Sequence, residues 1–160
     1  MKITFLGTGT SQGIPVIGSN HPVCLSKDPK DKRLRTSALF QWEDKNVAVD
    51  CGPDFRMQMI NSKCDKLDAI FFTHEHNDHV SGLDDIRPFY FKQGDVPIYA
   101  SNRVINALIK RFEYIFKSDG NIPGTPNVSV NEIKKNFKFD NKKSLFLMRF
   151  MVNYQYLDLE

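Results

Sequence analysis

Cysteine is scarce in this chain of 160 residues: Cys24, Cys51 and Cys64 are the full set. An odd and sparse set cannot supply a disulfide framework, so the fold must rest on an apolar core, and free thiols suit a reducing compartment. Apolar runs are short as well. None approaches the roughly 20 residues that cross a bilayer, and the opening MKITFLGTGT is too brief in its apolar part for a secretion signal. A cytoplasmic domain without a membrane partner is therefore expected. An excess of one charge is missing too. The chain carries 22 basic and 19 acidic residues, net +3, and no basic stripe interleaved with aromatics, so a nucleic-acid partner is not expected. There is no internal repeat and no low-complexity tract. Histidine is rare, with four in all, and three of them fall within six residues.

What is present is ordinary for a globular domain: 41% hydrophobic and 26% charged residues, with thirteen phenylalanines for a core. The length fits one domain, 1–160, large enough to bury roughly 70% of its unfolded surface. Lys2–Leu6 alternates as a strand does. Gly7–Gly18 is a glycine-rich loop, and 21–32 is polar and broken by Pro22 and Pro29. Thr36–Trp42 and Asn46–Asp50 read as a strand pair joined by a turn over 43–46. Pro53 suits the first turn of a helix that runs to about Ser62. Ala69–Thr73 is a short apolar run that fits a buried strand. Ser81–Arg87 reads as a short helix ended near Pro88, and Val96–Ala100 as a strand. Ser101 is placed to cap a helix whose apolar stripe is Val104, Ile105, Leu108, Ile109, Phe112, Ile115 and Phe116. Further strands are expected at 127–130, 137–139 and 145–152. The order is a mixed α/β (α+β) pattern.

The chemistry sits at 74–79, which reads His-Glu-His-Asn-Asp-His. Two residues apart on an extended stretch, His74 and His76 can point the same way and grip one ion. Asp78 and His79 follow and can face a second. Imidazole with carboxylate suits zinc, iron or manganese, and the lack of thiolates speaks against iron–sulfur chemistry. An apolar strand feeding straight into the loop would hold such a site rigid.

The pattern H-x-H-x-D-H after a short apolar strand resembles the metal-binding signature of the metallo-β-lactamase superfamily. Gly7-Thr8-Gly9-Thr10-Ser11 after the first strand, and Asp50-Cys51-Gly52 at the end of the third, resemble other marks of that family. GTGTSQGIPV at 7–16, the stretch 22–37 and GLDDIRPF at 82–89 resemble its phosphodiesterase branch, which includes phosphoribosyl cyclic phosphate phosphodiesterases. The resemblance covers about residues 1–116. It implies an αββα sandwich, of which this chain would hold the N-terminal half plus a few further strands. It implies two divalent ions, zinc or manganese. His74 and His76 would bind the first, and Asp78 and His79 the second, with Asp50 supporting the loop from behind. It implies hydrolysis of a small phosphodiester or cyclic phosphate by a metal-activated hydroxide, which Asp78 would orient. Two rivals are a tRNA 3′-processing endonuclease, which shares H-x-H-x-D-H, and a metal-binding remnant of the fold without catalysis.

The same resemblance sets further expectations. Relatives supply later ligands, whereas no histidine follows His79 here. The chain is therefore expected to be a truncated member with partial metal occupancy, and to form homo-oligomers that cover its open sheet edge. Relatives of this branch can carry a structural zinc near residue 21. His21 and Cys24 are either half of such a site or a loop pair without metal. Asp85 and Arg87, beside Asp84, either meet substrate phosphate and orient ligands or form an acidic helix start with an ion pair.

Overall fold

The computed structural model describes residues 1–116, 123–134, 137 and 139. Six strands form one mixed sheet in sequence order: β1 (Lys2–Gly7), β2 (Ser37–Trp42), β3 (Lys45–Val49), β4 (Ala69–Phe71), β5 (Val96–Ala100) and β6 (Val128–Glu132). β1, β2 and β3 are antiparallel neighbours; β3 to β6 run parallel. The change follows from the connections. A two-residue turn at Glu43–Asp44 can only join antiparallel strands, and it lets Trp42 pair with Lys45. The later links contain helices, as parallel crossovers require. These are α2 (Phe55–Ser62), α3 (Asn77–Val80), α4 (Arg87–Gln93), α5 (Asn102–Arg111) and α6 (Glu113–Phe116), preceded by the short α1 (Pro22–Leu25).

The strand alternation sorts two cores. Ala48, Ile70, Ile98 and Val128 face the helices and join Phe55, Met59, Leu83, Ile86, Leu108 and Ile115. Phe40, Trp42, Val47, Val49, Ala69 and Phe71 face the other way, where Ile133, Phe137 and Phe139 pack on them. The described residues thus give one sheet with one helix layer, the first half of the expected αββα arrangement. The strand expected at 145–152 lies outside the described residues; of the one expected at 137–139, Phe137 and Phe139 are described and neither is in a strand.

Three expectations change. Pro88 does not end a helix but opens one. A 3-10 turn covers Leu83–Ile86, and Pro88 stands in the first turn of α4, where its missing N–H costs nothing. The stripe from Val104 to Phe116 is divided. α5 ends at Arg111, Phe112 leaves helical geometry, α6 restarts at Glu113, and Ile109 is 41% exposed on the flank. Ser101 occupies the cap position of α5 with extended backbone, but its side chain makes no capping bond. Among the described residues no helix is long and apolar enough to cross a membrane.

Candidate metal centre

β3, β4 and β5 point their carboxyl ends the same way, and the cluster sits there. Asp50 directly follows β3, and the chain leaving β4 runs through Phe72 into Thr73 and His74. Open parallel sheets place ligand sites at such ends, because the chain leaves the sheet there and backbone groups become free.

Asp50 organises the site. It is 2% exposed, and its two oxygens meet three donors: the Thr73 amide at 2.8 Å, the Thr73 hydroxyl at 2.8 Å and His79 Nδ1 at 2.7 Å. Its backbone has a φ of 62°, left-handed for a residue with a side chain. Asp tolerates that region better than most, and such strain persists only where surrounding bonds hold it. A carboxylate can only accept, so His79 donates through Nδ1. The Thr73 hydroxyl has one proton, and it goes to Asp50. Thr73 Oγ1 therefore accepts from His74 Nδ1, 2.9 Å away. Both imidazoles are fixed in one tautomer with the Nε2 lone pair open, the form that binds metals, and a carboxylate or hydroxyl behind Nδ1 is the usual support.

The rings stand close. The His74 centroid is 4.5 Å from that of His76 and 4.0 Å from that of His79. Burial pushes His74 below the usual imidazole range, and the neighbouring His79 adds to the effect. For His79, burial works the same way, but the bond to Asp50 and the charges of Asp50 and Asp78 outweigh it, so its pKa lies above the usual range. His79 Nε2 is 3.2 Å from Asp78 Oδ2. A nitrogen lone pair facing a carboxylate oxygen calls for a cation between them, either a proton or a metal. Two donors about 2.0 Å from a tetrahedral ion lie roughly 3.3 Å apart, so this spacing suits a shared metal. Among the described residues, however, no three His, Cys, Asp or Glu donors converge on one point. The donor chemistry fits divalent ions, and the spacing of one pair, His79 Nε2 and Asp78 Oδ2, fits a shared one.

Backbone packing completes the loop. The Cys51 amide donates to the His79 carbonyl at 2.7 Å, and the Gly82 amide to the Cys51 carbonyl at 2.8 Å. A Cβ on Gly52 would lie 2.0 Å from the Asp78 carbonyl oxygen, and one on Gly82 would lie 2.2 Å from that of Gly52. Only glycine admits this approach. Cys51 and Gly82 fall inside the motifs at 50–52 and 82–89, but their backbone bonds and the part played by Thr73 are seen only in the structure. Thr73, as the polar end of an apolar strand, was the one available hint.

Asp84, Arg87, His21 and Cys24 have local partners. Asp84 accepts from Arg87 Nε at 3.2 Å and Nη2 at 2.7 Å, and from the Tyr114 hydroxyl at 2.9 Å. Burial, then the charge of Asp84, raises the Asp85 carboxyl above the usual range. His21 accepts the Val23 amide through Nδ1 as the cap of α1, and Cys24 Sγ accepts the Val16 amide at 3.5 Å. A bond to Ser19, then that amide, lowers the Cys24 thiol below its ordinary value. Arg35 is a loop organiser: it bonds Asp54 at 2.9 Å and the Ser11 carbonyl at 2.9 Å.

A mixed sheet with one helix layer and a histidine-rich loop at its carboxyl ends defines an α/β domain of the metallo-β-lactamase type. The chain belongs to the beta-lactamase superfamily domain family, whose pattern matches residues 45–150. It is similar to a crystal structure described as a new diphosphatase from the PhnP family, with TM-score 0.77 and 38% identity over 86% of this chain and 52% of that one. It is 41% identical over 140 residues to a protein named octanoyltransferase from Porphyromonas gingivalis (strain ATCC BAA-308 / W83), a match covering 87% of this chain and 28% of that protein. It is 33% identical over 106 residues to ribonuclease Z from Listeria monocytogenes serotype 4a (strain HCC23), covering 62% of this chain and 30% of that protein. The chain thus spans less than a third of these two relatives and about half of the solved diphosphatase.

Proposed function

We propose that this chain carries the metal-binding half of a phosphodiesterase site acting on a small phosphodiester or cyclic phosphate. The observation that carries the reading is the tautomer lock: Thr73 and Asp50 hold Nδ1 of His74 and His79 and leave Nε2 as the donor atom of each, that of His79 3.2 Å from Asp78 Oδ2. His74 and His76 would hold one divalent ion, and Asp78 and His79 a second, with zinc and manganese the metals that suit imidazole and carboxylate. Bound there, such ions supply Lewis-acid activation of water and neutralise charge on a phosphoryl group.

The chain's own residues do the rest. Asp50 keeps His79 oriented. Asp78 orients the attacking water and takes its proton, a role open to a carboxylate within hydrogen-bond reach. Arg87 is already bonded to Asp84, so we assign it to bracing the loop rather than to meeting phosphate. A catalytic zinc takes three protein ligands as a rule, and each pair assigned here offers two, so partial occupancy is part of the proposal. The likeness to a diphosphatase supports hydrolysis at phosphorus. The likeness to ribonuclease Z supports a second reading, in which the phosphodiester belongs to RNA. The octanoyltransferase name describes a protein of which 28% is matched, and brings no substrate to this chain.

Metal analysis paired with turnover decides among these readings. The protein is loaded with zinc or manganese and offered a chromogenic phosphodiester, a cyclic phosphate and a precursor tRNA. Bound metal with turnover of the small esters supports the proposal, and tRNA cleavage alone moves it to the second reading. Less than one ion per chain with no turnover on any substrate leaves a non-catalytic member of the family.

A further inference from the structure

Three imidazoles make up the cluster, but only two are anchored by their side chains. Thr73 holds His74 and Asp50 holds His79. Among the described residues the His76 ring contacts the His74 ring, and no hydrogen bond fixes it. Its direction is therefore set by its backbone, and the question is what fixes that backbone.

Glu75 supplies the answer. Side chains alternate along an extended stretch, so a residue between two histidines that face one side faces the other. Helix α5 stands on that side. Arg103, in its first turn, brings Nε to 3.0 Å and Nη2 to 2.5 Å from Glu75 Oε1. Arg111, its last residue, donates from Nη1 to the Glu75 carbonyl oxygen at 3.2 Å. The arginines are about 12 Å apart along the helix axis, so Glu75 is gripped at both its polar ends by one rigid element. The carboxylate is 23% exposed and Arg103 71%. An isolated pair of that kind adds little to the stability of the fold. It is enough to choose between conformations of one short loop.

We propose that Arg103 and Arg111 are positioning residues, and that α5 acts through Glu75 to hold the His74–His76 segment extended so that the His76 ring faces the site. The inference rests on the metal reading of residues 74–79. It adds an outer support that the H-x-H-x-D-H pattern does not contain.

The test uses the full chain with Arg103→Ala, Arg111→Ala, both together, and Arg103→Lys, and zinc alone as probe. Zinc affinity is read by competition with a chromophoric chelator. Amide exchange without metal is followed at His79 and Ser81, which bond to the His76 and Asn77 carbonyls, with the Asp50 amide, bonded to Phe71, as the sheet control. The double variant is expected to bind zinc about tenfold more weakly, the lower end for loss of an outer support. Exchange should quicken at His79 and Ser81 but not at Asp50. Arg103→Lys keeps the charge without the fork and should recover part of the affinity. Glu75→Gln added to Arg103→Ala should bring little further loss, since both remove one contact. Unchanged zinc affinity and unchanged loop exchange in the double variant overturn the proposal. So does exchange that rises equally at Asp50, which marks general destabilisation. If the unaltered protein binds no zinc, the metal reading fails, and the exchange comparison alone still accepts or rejects the strut.

Discussion

Asp50 offers two oxygens to three buried donors, and this makes it the most consequential single residue described. Asp50→Ala leaves the Thr73 amide, the Thr73 hydroxyl and the His79 ring without an acceptor. At roughly 1–3 kcal/mol for each stranded group, with partial relief by water, a loss of about 3 kcal/mol in urea unfolding is expected. A loss below about 1 kcal/mol would mean that these bonds are not held in solution. Asp85 gives a test with pH. Its folded pKa is raised by burial and by Asp84, so the protonated form is the one the fold favours. That contribution is present below the unfolded pKa and lost as pH rises through the folded one. Asn imitates the protonated acid at every pH. Asp85→Asn should therefore melt above the unaltered protein at pH 7, and the two should converge near about pH 3, where both forms are neutral. Equal melting at pH 7 would count against it. At this scale the donors were legible and their supports were not. His74, His76, Asp78 and His79 announce themselves by spacing within one loop. Asp50 was reached through resemblance, and Thr73 and Glu75 through the folded structure alone, because their partners are 23 and 28 residues away in sequence.

Elements were legible where period and length agreed. β2, β3, β4 and β5 fall within two residues of their expected bounds, since each is a short run rich in apolar residues, too short for a helix and bounded by turn or loop residues. The helical stretch after the cluster departs from its expected form. Pro88 serves equally as a stop and as a first-turn residue, and the residues before it, tied by Gly82 to Cys51, fold as a 3-10 turn instead. Gly52 shows how tightly these elements fit. Gly52→Ala would drive a methyl into the Asp78 carbonyl, and the backbone on both sides is bonded in place. Overpacking of this kind costs about 1–3 kcal/mol. Beyond the drop in unfolding free energy, the variant should show displaced His79 and Asp78 resonances in an NMR spectrum while the β1 signals stay put. Shifts confined to Gly52 itself would show a loop that yields without strain.

At the scale of the molecule, the described residues form a sheet with β1 at one end, where Phe5 is 60% exposed. An edge strand with an exposed aromatic is a template for pairing with another chain. Light scattering at micromolar concentration is expected to give a mass above the monomer, and Phe5→Lys to bring it down; a monomer at all concentrations would show that this edge is tolerated open. The Asp50 junction has one last consequence, in the thermodynamics of the whole chain. One carboxylate ties the end of β3, the end of β4 and the His79 turn, so an ion that reads His79 also reads the integrity of the sheet. A ligand that binds only the folded form stabilises it by about 2.7 kcal/mol at a hundred times its dissociation constant. Melting temperature then becomes a gauge of site occupancy that needs no substrate: it should climb with added zinc, fall back with chelator, and climb only at higher zinc in Asp50→Ala.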